Sequence, residues 1–505
     1  MTTPRRGARS LWTFGTGVTF TVLTTGLSFV ITPFVLRWLG AERFGIQRAL
    51  MDSVAYLGLF ELGLLGATRA NLALHYGRGD RARAHAVALT ALRRYAPIVL
   101  CMSVAGAAIV WWAPRLGGHT AISGGELRSA AAIFVVAVLL APFSVFRAAL
   151  EAQQRAYVLK ALGIGGAIAS GLLSLLFAYA GWGLTGQAVA VLIVPLITAP
   201  LVMLAARREL VGSWNAAPEP AAAEALTRLS RPTLVYEISS RVGLFSDNIV
   251  VAMLLAPQLV APFFLTQRVA MIALGQLQEI GNATWAALIE LHAQGLTAVF
   301  RHRLLHLSSW VTSASIILLV PVLLLNRSFI VLWLGERNYA GPMVTILVCA
   351  NVWLWAVSSL WGWVVFGAGC IAAWTPYAVA FSAVNITVSL AATWWLGIYG
   401  PLLGTTAAFL FVTSWAMPGV LQRLFGVARR DLYAAIARPF AWGAPYAGAM
   451  AIAVSTIHPT TWIALAASAG LCVAAGGTCW WFVGLKDADR QVWIAETRSA
   501  IAPVF

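Results

Sequence analysis

Ionisable side chains sit inside apolar runs of this chain, and their types and spacing suit the binding of an anion. The run RPTLVYEISSRVGLFSDNIVVAMLLA, residues 231–256, carries Glu237, Arg241 and Asp247 in its interior. An ionisable group at the centre of a membrane helix costs about 2.5–3.5 kcal/mol on insertion scales. Three such groups facing lipid would offset most of what the surrounding Leu, Val and Ile contribute. Turning them toward a protein interior or a water-filled cavity is cheaper. Glu237 and Arg241 are four apart, so they share a helix face and can pair. One reading is therefore a structural ion pair. The other is a polar pathway through a membrane, favoured because other runs repeat the pattern.

Glu61 lies near the centre of the run 45–74, with Arg69 toward one end and Asp52 four residues after Arg48. Arg147 closes the run 129–150. The run 262–289 holds Gln267, Arg268, Gln276, Gln278, Glu279 and Asn282, and later runs hold Asn351 and Asn385. A set spread over several runs signals a hydrated pathway more often than a lone group does. The first run carries Thr21, Thr24, Thr25, Ser28 and Thr32 in one polar stripe, which suits either tight helix packing or the lining of a cavity. Arginine stays charged and presents a fork matched to phosphate oxygens. Arg69, Arg147, Arg241 and Arg268, with Gln267 and Gln276, are the candidate substrate-binding residues of a cationic cavity. Trp353, Trp355, Trp361 and Trp363 crowd one run, where packing accounts for most of them.

Bond-breaking chemistry finds less support. No Walker loop is present. His302 and His306 are four apart but have no carboxylate partner in sequence, so an interfacial pair is preferred to a metal site. A membrane glycosyltransferase or polymerase would need a sizeable catalytic loop outside the membrane. The longest candidates, 114–128 and 326–341, are short and hold few acidic or basic groups. The five cysteines, Cys101, Cys349, Cys370, Cys472 and Cys479, lie in or beside apolar runs and lack metal-ligand spacing, so no disulfide is expected.

The elements that must position these groups are membrane helices. Of 505 residues, 60% are hydrophobic and 10% charged, and mean hydropathy is +0.81. Soluble domains have about 25% charged residues. The expected fold is an all-α polytopic membrane protein of about fourteen helices, near 11–36, 45–74, 86–112, 129–150, 161–180, 184–206, 233–256, 262–289, 303–325, 341–366, 372–396, 401–421, 439–457 and 460–484. The net charge of +16 is spread between apolar runs, which argues against nucleic acid and for contact with anionic membrane lipids. Basic residues concentrate in alternate connections, such as Arg78, Arg81 and Arg83, then Arg155 and Lys160, then Arg207 and Arg208. Both termini are therefore expected in the cytoplasm. The N-terminal basic and apolar segment runs past Pro33 with no convincing cleavage site and reads as a retained first helix.

Two corners look related. Ala180–Gly186 (AGWGLTG) and Gly397–Gly404 (GIYGPLLG) each put glycines and an aromatic residue at a tight turn. Their spacing suits a six-helix repeat, with a pseudo-twofold along the membrane normal and a cavity between the halves. The expected layout is an N-terminal bundle over 1–206, a cytoplasmic linker over 207–232 and a C-terminal bundle over 233–422. A loop, two extra helices and a tail fill 423–505.

TPFVLRWLGAERFG (32–45) and FELGLLGATRANLALHYGRGD (60–80) resemble the polysaccharide-transport branch of the multidrug/oligosaccharidyl-lipid/polysaccharide (MOP) exporter superfamily. So do SDNIVVAMLLAPQLVAPFFLTQRV (246–269) and VLWLGERNYAGP (331–342). The similarity departs at Ala256-Pro257, where that family commonly has glycine, and the helix count also resembles the lipid II flippase branch. The resemblance implies a non-enzymatic flippase for undecaprenyl-pyrophosphate-linked oligosaccharide in the bacterial cytoplasmic membrane. It implies alternating access, service to surface polysaccharide synthesis, and a polysaccharide polymerase and chain-length regulator as partners. No cofactor is expected beyond an H⁺ or Na⁺ gradient. Glu61, Glu237 and Asp247 are the candidate ion-coupling residues, since a buried carboxylate can change protonation or coordinate a cation.

Overall fold

Hydrocarbon offers the backbone no hydrogen-bond partners, so each apolar run must satisfy its own peptide groups, and this chain does so with helices. The computed structural model describes residues 3–61, 64–118, 120–153, 155–210, 231–485 and 490. Most of the expected linker at 207–232, and the tail beyond 490, lie outside the described residues.

Contacts divide the chain into two compact units, Met1–Ala261 and Pro262–Phe505. In the first, α1 (Thr3–Leu39) packs along α8 (Ala156–Tyr179). The second span is broken. It runs as α2 (Ala41–Ala55), tightens into a 3-10 turn at Tyr56–Glu61 and resumes as α3 (Leu64–Gly77), bent by 49°. α4 (Arg81–Trp112) leads through a short α5 (Pro114–Gly117) to α6 (Gly124–Val138) and α7 (Ser144–Ala152). α9 (Gly183–Leu210) returns against α6, α7 and α8. The apolar core of this unit joins Leu72, Val87, Tyr95, Phe146, Leu150 and Val202.

The run carrying Glu237, Arg241 and Asp247 is not one helix. α10 (Arg231–Phe245) ends before Ser246, and α11 (Asp247–Leu254) begins after it. Both pack within the first unit, α10 on the 3-10 turn and α11 on α2.

α12 (Pro257–Ala293) begins in the first unit and continues in the second, where α13 (Thr297–Leu334) is central. Against α13 lie α14 (Pro342–Gly367), α18 (Arg429–Ala437), α19 (Phe440–Ile457) and α20 (Trp462–Cys479). Buried Ser308 on α13 accepts a hydrogen bond from Trp361 Nε1 at 2.9 Å. α15 (Thr375–Leu396) turns back on α16 (Gly400–Ala408), which continues through a wide turn at Phe409–Thr413 into α17 (Ser414–Phe425).

Among the described residues eleven helices are long and apolar enough to cross a membrane, and the bent second span makes a twelfth. This number differs from the expected fourteen at two places. Residues 375–425 satisfy the criterion as one continuous helix, yet α15 and α16 pack side by side. The pieces of 231–254 are each too short to count, because Ser246 interrupts them.

Both glycine corners are hairpins, and both are closed by polar side chains. Gly181 and Gly183 have φ of 74° and 57°, and Gly397 has φ of 63°, values that other residues rarely adopt. In the first hairpin Gln187 Nε2 donates to Ser174 O at 2.9 Å across α8 and α9. In the second Asn385 Nδ2 donates to Thr405 Oγ1 at 2.9 Å across α15 and α16. A β-carbon on Gly404 would meet Asn385 O at 2.6 Å and Ser389 N at 2.7 Å, so only glycine permits that approach.

Candidate functional site

A cavity of about 670 Å³ lies inside the first unit, and the break in the second span forms part of its wall. Phe20, Met102, Val194 and Val202 give it apolar sides. Ser144, Ser170 and Thr198 add hydroxyls, and Glu61, Arg147 and Arg241 supply the charge. Two guanidiniums against one carboxylate leave the lining net positive.

Arg241 reaches the cavity because the facing residue has no side chain. A β-carbon on Gly58 would lie 2.6 Å from Arg241 Nη1. This placement replaces the Glu237–Arg241 pair that their spacing suggested. No ion pair joins the two, and Glu237 is half-buried on α10. Among the described residues neither Arg147 nor Arg241 has a carboxylate within 4.0 Å. Arg147 projects from α7 and is exposed to the cavity space.

Glu61 ends the 3-10 turn and is half-buried. Tyr95 on α4, 1% exposed, donates its hydroxyl proton to Glu61 Oε1 at 3.3 Å. The same hydroxyl lies 2.8 Å from Ser144 Oγ, one helical turn before Arg147. The Glu61 charge also interacts with the charges of Arg241 and Arg147. Among the described residues Glu61 thus takes one hydrogen bond, from the Tyr95 phenol, and shares the cavity wall with two guanidiniums that lie beyond ion-pair distance.

The remaining candidates lie elsewhere. Arg69 is not on the cavity wall. It is paired with Glu151 at 3.4 Å, with side-chain exposures of 61% and 33%. Its position on α3, beyond the bend, turns it toward α7. Arg268, Gln267 and Gln276 belong to the second unit. Arg268 is half-buried with its guanidinium carbon 5.8 Å from the Phe264 ring centre. Gln267 Nε2 donates to Phe263 O at 3.1 Å, and Gln276 is exposed.

Asp247 opens α11, and its Oδ1 is buried without a hydrogen-bond partner. Next to it, Asn248 Nδ2 donates to Asp52 Oδ2 on α2 at 2.7 Å. Tyr56 OH donates to Val242 O at 3.3 Å nearby. Tyr95, Ser144, Gly58 and Asn248 had no signal in the linear sequence that set them apart from packing residues.

No protein-family model matches the chain, and no curated protein matches it. Solved structures do. One is an inward-facing multidrug resistance MATE family transporter of the MOP superfamily, 16% identical, with a TM-score of 0.54 over 80% of this chain and 96% of that one. A second is MATE in the bent conformation, 14% identical, with a TM-score of 0.53 over 83% and 99%. A third is a MOP superfamily transporter from Pyrococcus furiosus, described by the reverse polarity of its binding pocket. It is 14% identical, with a TM-score of 0.52 over 83% and 95%. The chain has the all-helical fold of MATE transporters of the MOP superfamily.

Proposed function

We propose that this chain is a flippase that moves undecaprenyl-pyrophosphate-linked oligosaccharide across the bacterial cytoplasmic membrane by alternating access. The observation that carries the reading is the pair of guanidiniums, Arg147 and Arg241, which among the described residues have no carboxylate within 4.0 Å and leave a largely apolar cavity lining net positive. An unpaired cation in such a site is expensive unless an anion arrives to share it. The phosphates of a lipid carrier supply that anion, and bidentate arginine contacts suit their oxygens. Apolar walls suit the first isoprene units, while the rest of the tail stays in the bilayer. In this reading both termini are cytoplasmic and an H⁺ or Na⁺ gradient drives the cycle.

Glu61 favours a second reading, a cation-coupled multidrug or small-molecule antiporter on the same fold, because a cavity carboxylate can receive a cationic drug. The two are separated by replacing the arginines. Arg147→Ala and Arg241→Ala are expected to abolish surface glycan in cells that depend on this protein, with its abundance unchanged. Normal glycan display from both variants overturns the flippase reading.

A further inference from the structure

Glu61 faces the two guanidiniums that the proposed substrate anion would occupy. From α4 it receives the Tyr95 hydroxyl, from α10 the Arg241 charge and from α7 the Arg147 charge. On its own turn, Tyr56 donates away to Val242 O, and on α2 Asp52 is engaged with Asn248. Among the described residues Glu61 is therefore the negative group that this arginine pair meets inside the cavity.

We infer that Glu61 is the resident counter-anion of the cavity, and that a phosphate-type anion binds Arg147 and Arg241 together with a proton taken up by Glu61. This inference rests on the anion-binding reading above. A carboxylate and an incoming phosphate or sulfate carry like charge, and between largely apolar walls their repulsion is screened less than in bulk water. Protonation removes that repulsion. The balance is simple: one proton from solvent joins the Glu61 carboxylate, and no covalent bond to the anion forms. Tyr95, already within reach of Glu61, can then accept a hydrogen bond from the neutral acid. The sign follows. Anion affinity rises as pH falls and weakens as pH rises, by up to about tenfold per pH unit for one linked proton. A cation-receiving carboxylate would give the opposite trend.

The test is calorimetry of the purified full chain with sulfate, whose own charge is fixed across the working range, from about pH 5 to about pH 8. Titrations are run in two buffers of different ionisation enthalpy. The expected result is sulfate binding accompanied by uptake of about one proton, absent in Glu61→Gln and kept in Glu61→Asp. Sulfate binding with equal heats in both buffers and no pH trend overturns the inference and leaves the flippase reading standing. Proton uptake that persists in Glu61→Gln also overturns it, since another group would then supply the site. Wild-type protein that binds neither sulfate nor pyrophosphate at any pH overturns the anion site and the inference together. The wild-type buffer comparison decides the matter even if Glu61→Gln does not fold.

Discussion

The Nη1 atom of Arg241 lies 2.6 Å from where a β-carbon on Gly58 would stand. The obstacle is the far end of a flexible side chain, so an alanine there can be accommodated by moving the guanidinium. Gly58→Ala should leave thermal stability within about 0.5 kcal/mol of wild type. Sulfate affinity should fall about tenfold, because a charge-assisted contact loses its geometry. Unchanged affinity would mean that the seat provided by Gly58 is irrelevant to binding.

Arg43, Glu126 and the backbone of Leu184 form a clamp between α2, α6 and α9. Arg43 Nε donates to Glu126 Oε1 at 3.0 Å, and Leu184 N donates to the same oxygen at 2.8 Å. Gly183 has positive φ, and a β-carbon there would collide with Glu126 Oε1. Gly181 also has positive φ but faces open space. Gly181→Ala should therefore show backbone strain alone, about 1 kcal/mol, while Gly183→Ala loses about 1–3 kcal/mol more as the clamp opens. Thermal unfolding in detergent measures both, and equal losses would count against the clamp.

The Asn248–Asp52 hydrogen bond ties α11 to α2 beside Asp247. Asn248→Asp places like charge across that 2.7 Å contact and should destabilise the chain by about 1–3 kcal/mol. Exchanging the two groups, Asp52→Asn with Asn248→Asp, restores an amide–carboxylate pair. The double variant is expected to recover most of the loss in a double-mutant cycle. Additive losses would show that the two side chains are energetically independent.

Arg69 and Glu151 form a long pair, 3.4 Å apart with side-chain exposures of 61% and 33%, away from the cavity wall. Arg69→Ala should change stability by less than about 1 kcal/mol. It should also leave sulfate affinity at the wild-type value, unlike Arg147→Ala or Arg241→Ala. An equal loss of affinity from Arg69→Ala would return Arg69 to the binding set.

The apolar runs announced the helices, because membrane length and hydropathy are local properties of sequence. The two corners were legible for a similar reason, since glycines beside an aromatic residue mark a turn that other residues resist. The grouping of arginines was not. Arg69 follows Glu61 by eight residues, but Glu61 ends the 3-10 turn and the bend separates it from α3, so helical periodicity does not carry from one to the other. The four-residue spacing of Glu237 and Arg241 allowed a pair. It lost to a vacancy on a neighbouring element, at Gly58, which only tertiary structure reveals. Tyr95 sits in a run of ordinary membrane residues, and its importance comes from Ser144 and Glu61, both remote in sequence.

Tyr95 owns a single hydroxyl hydrogen. While it points to Glu61, the contact with Ser144 must be supplied by the serine's hydrogen. Should Glu61 become the giver, both hydrogens can reverse, and the serine turns from giver to taker. Ser144 shares its helix with Arg147. Ionisation at the second span is therefore written into the polarity of a two-hydroxyl relay that ends one turn from a guanidinium, and no heavy atom has to travel.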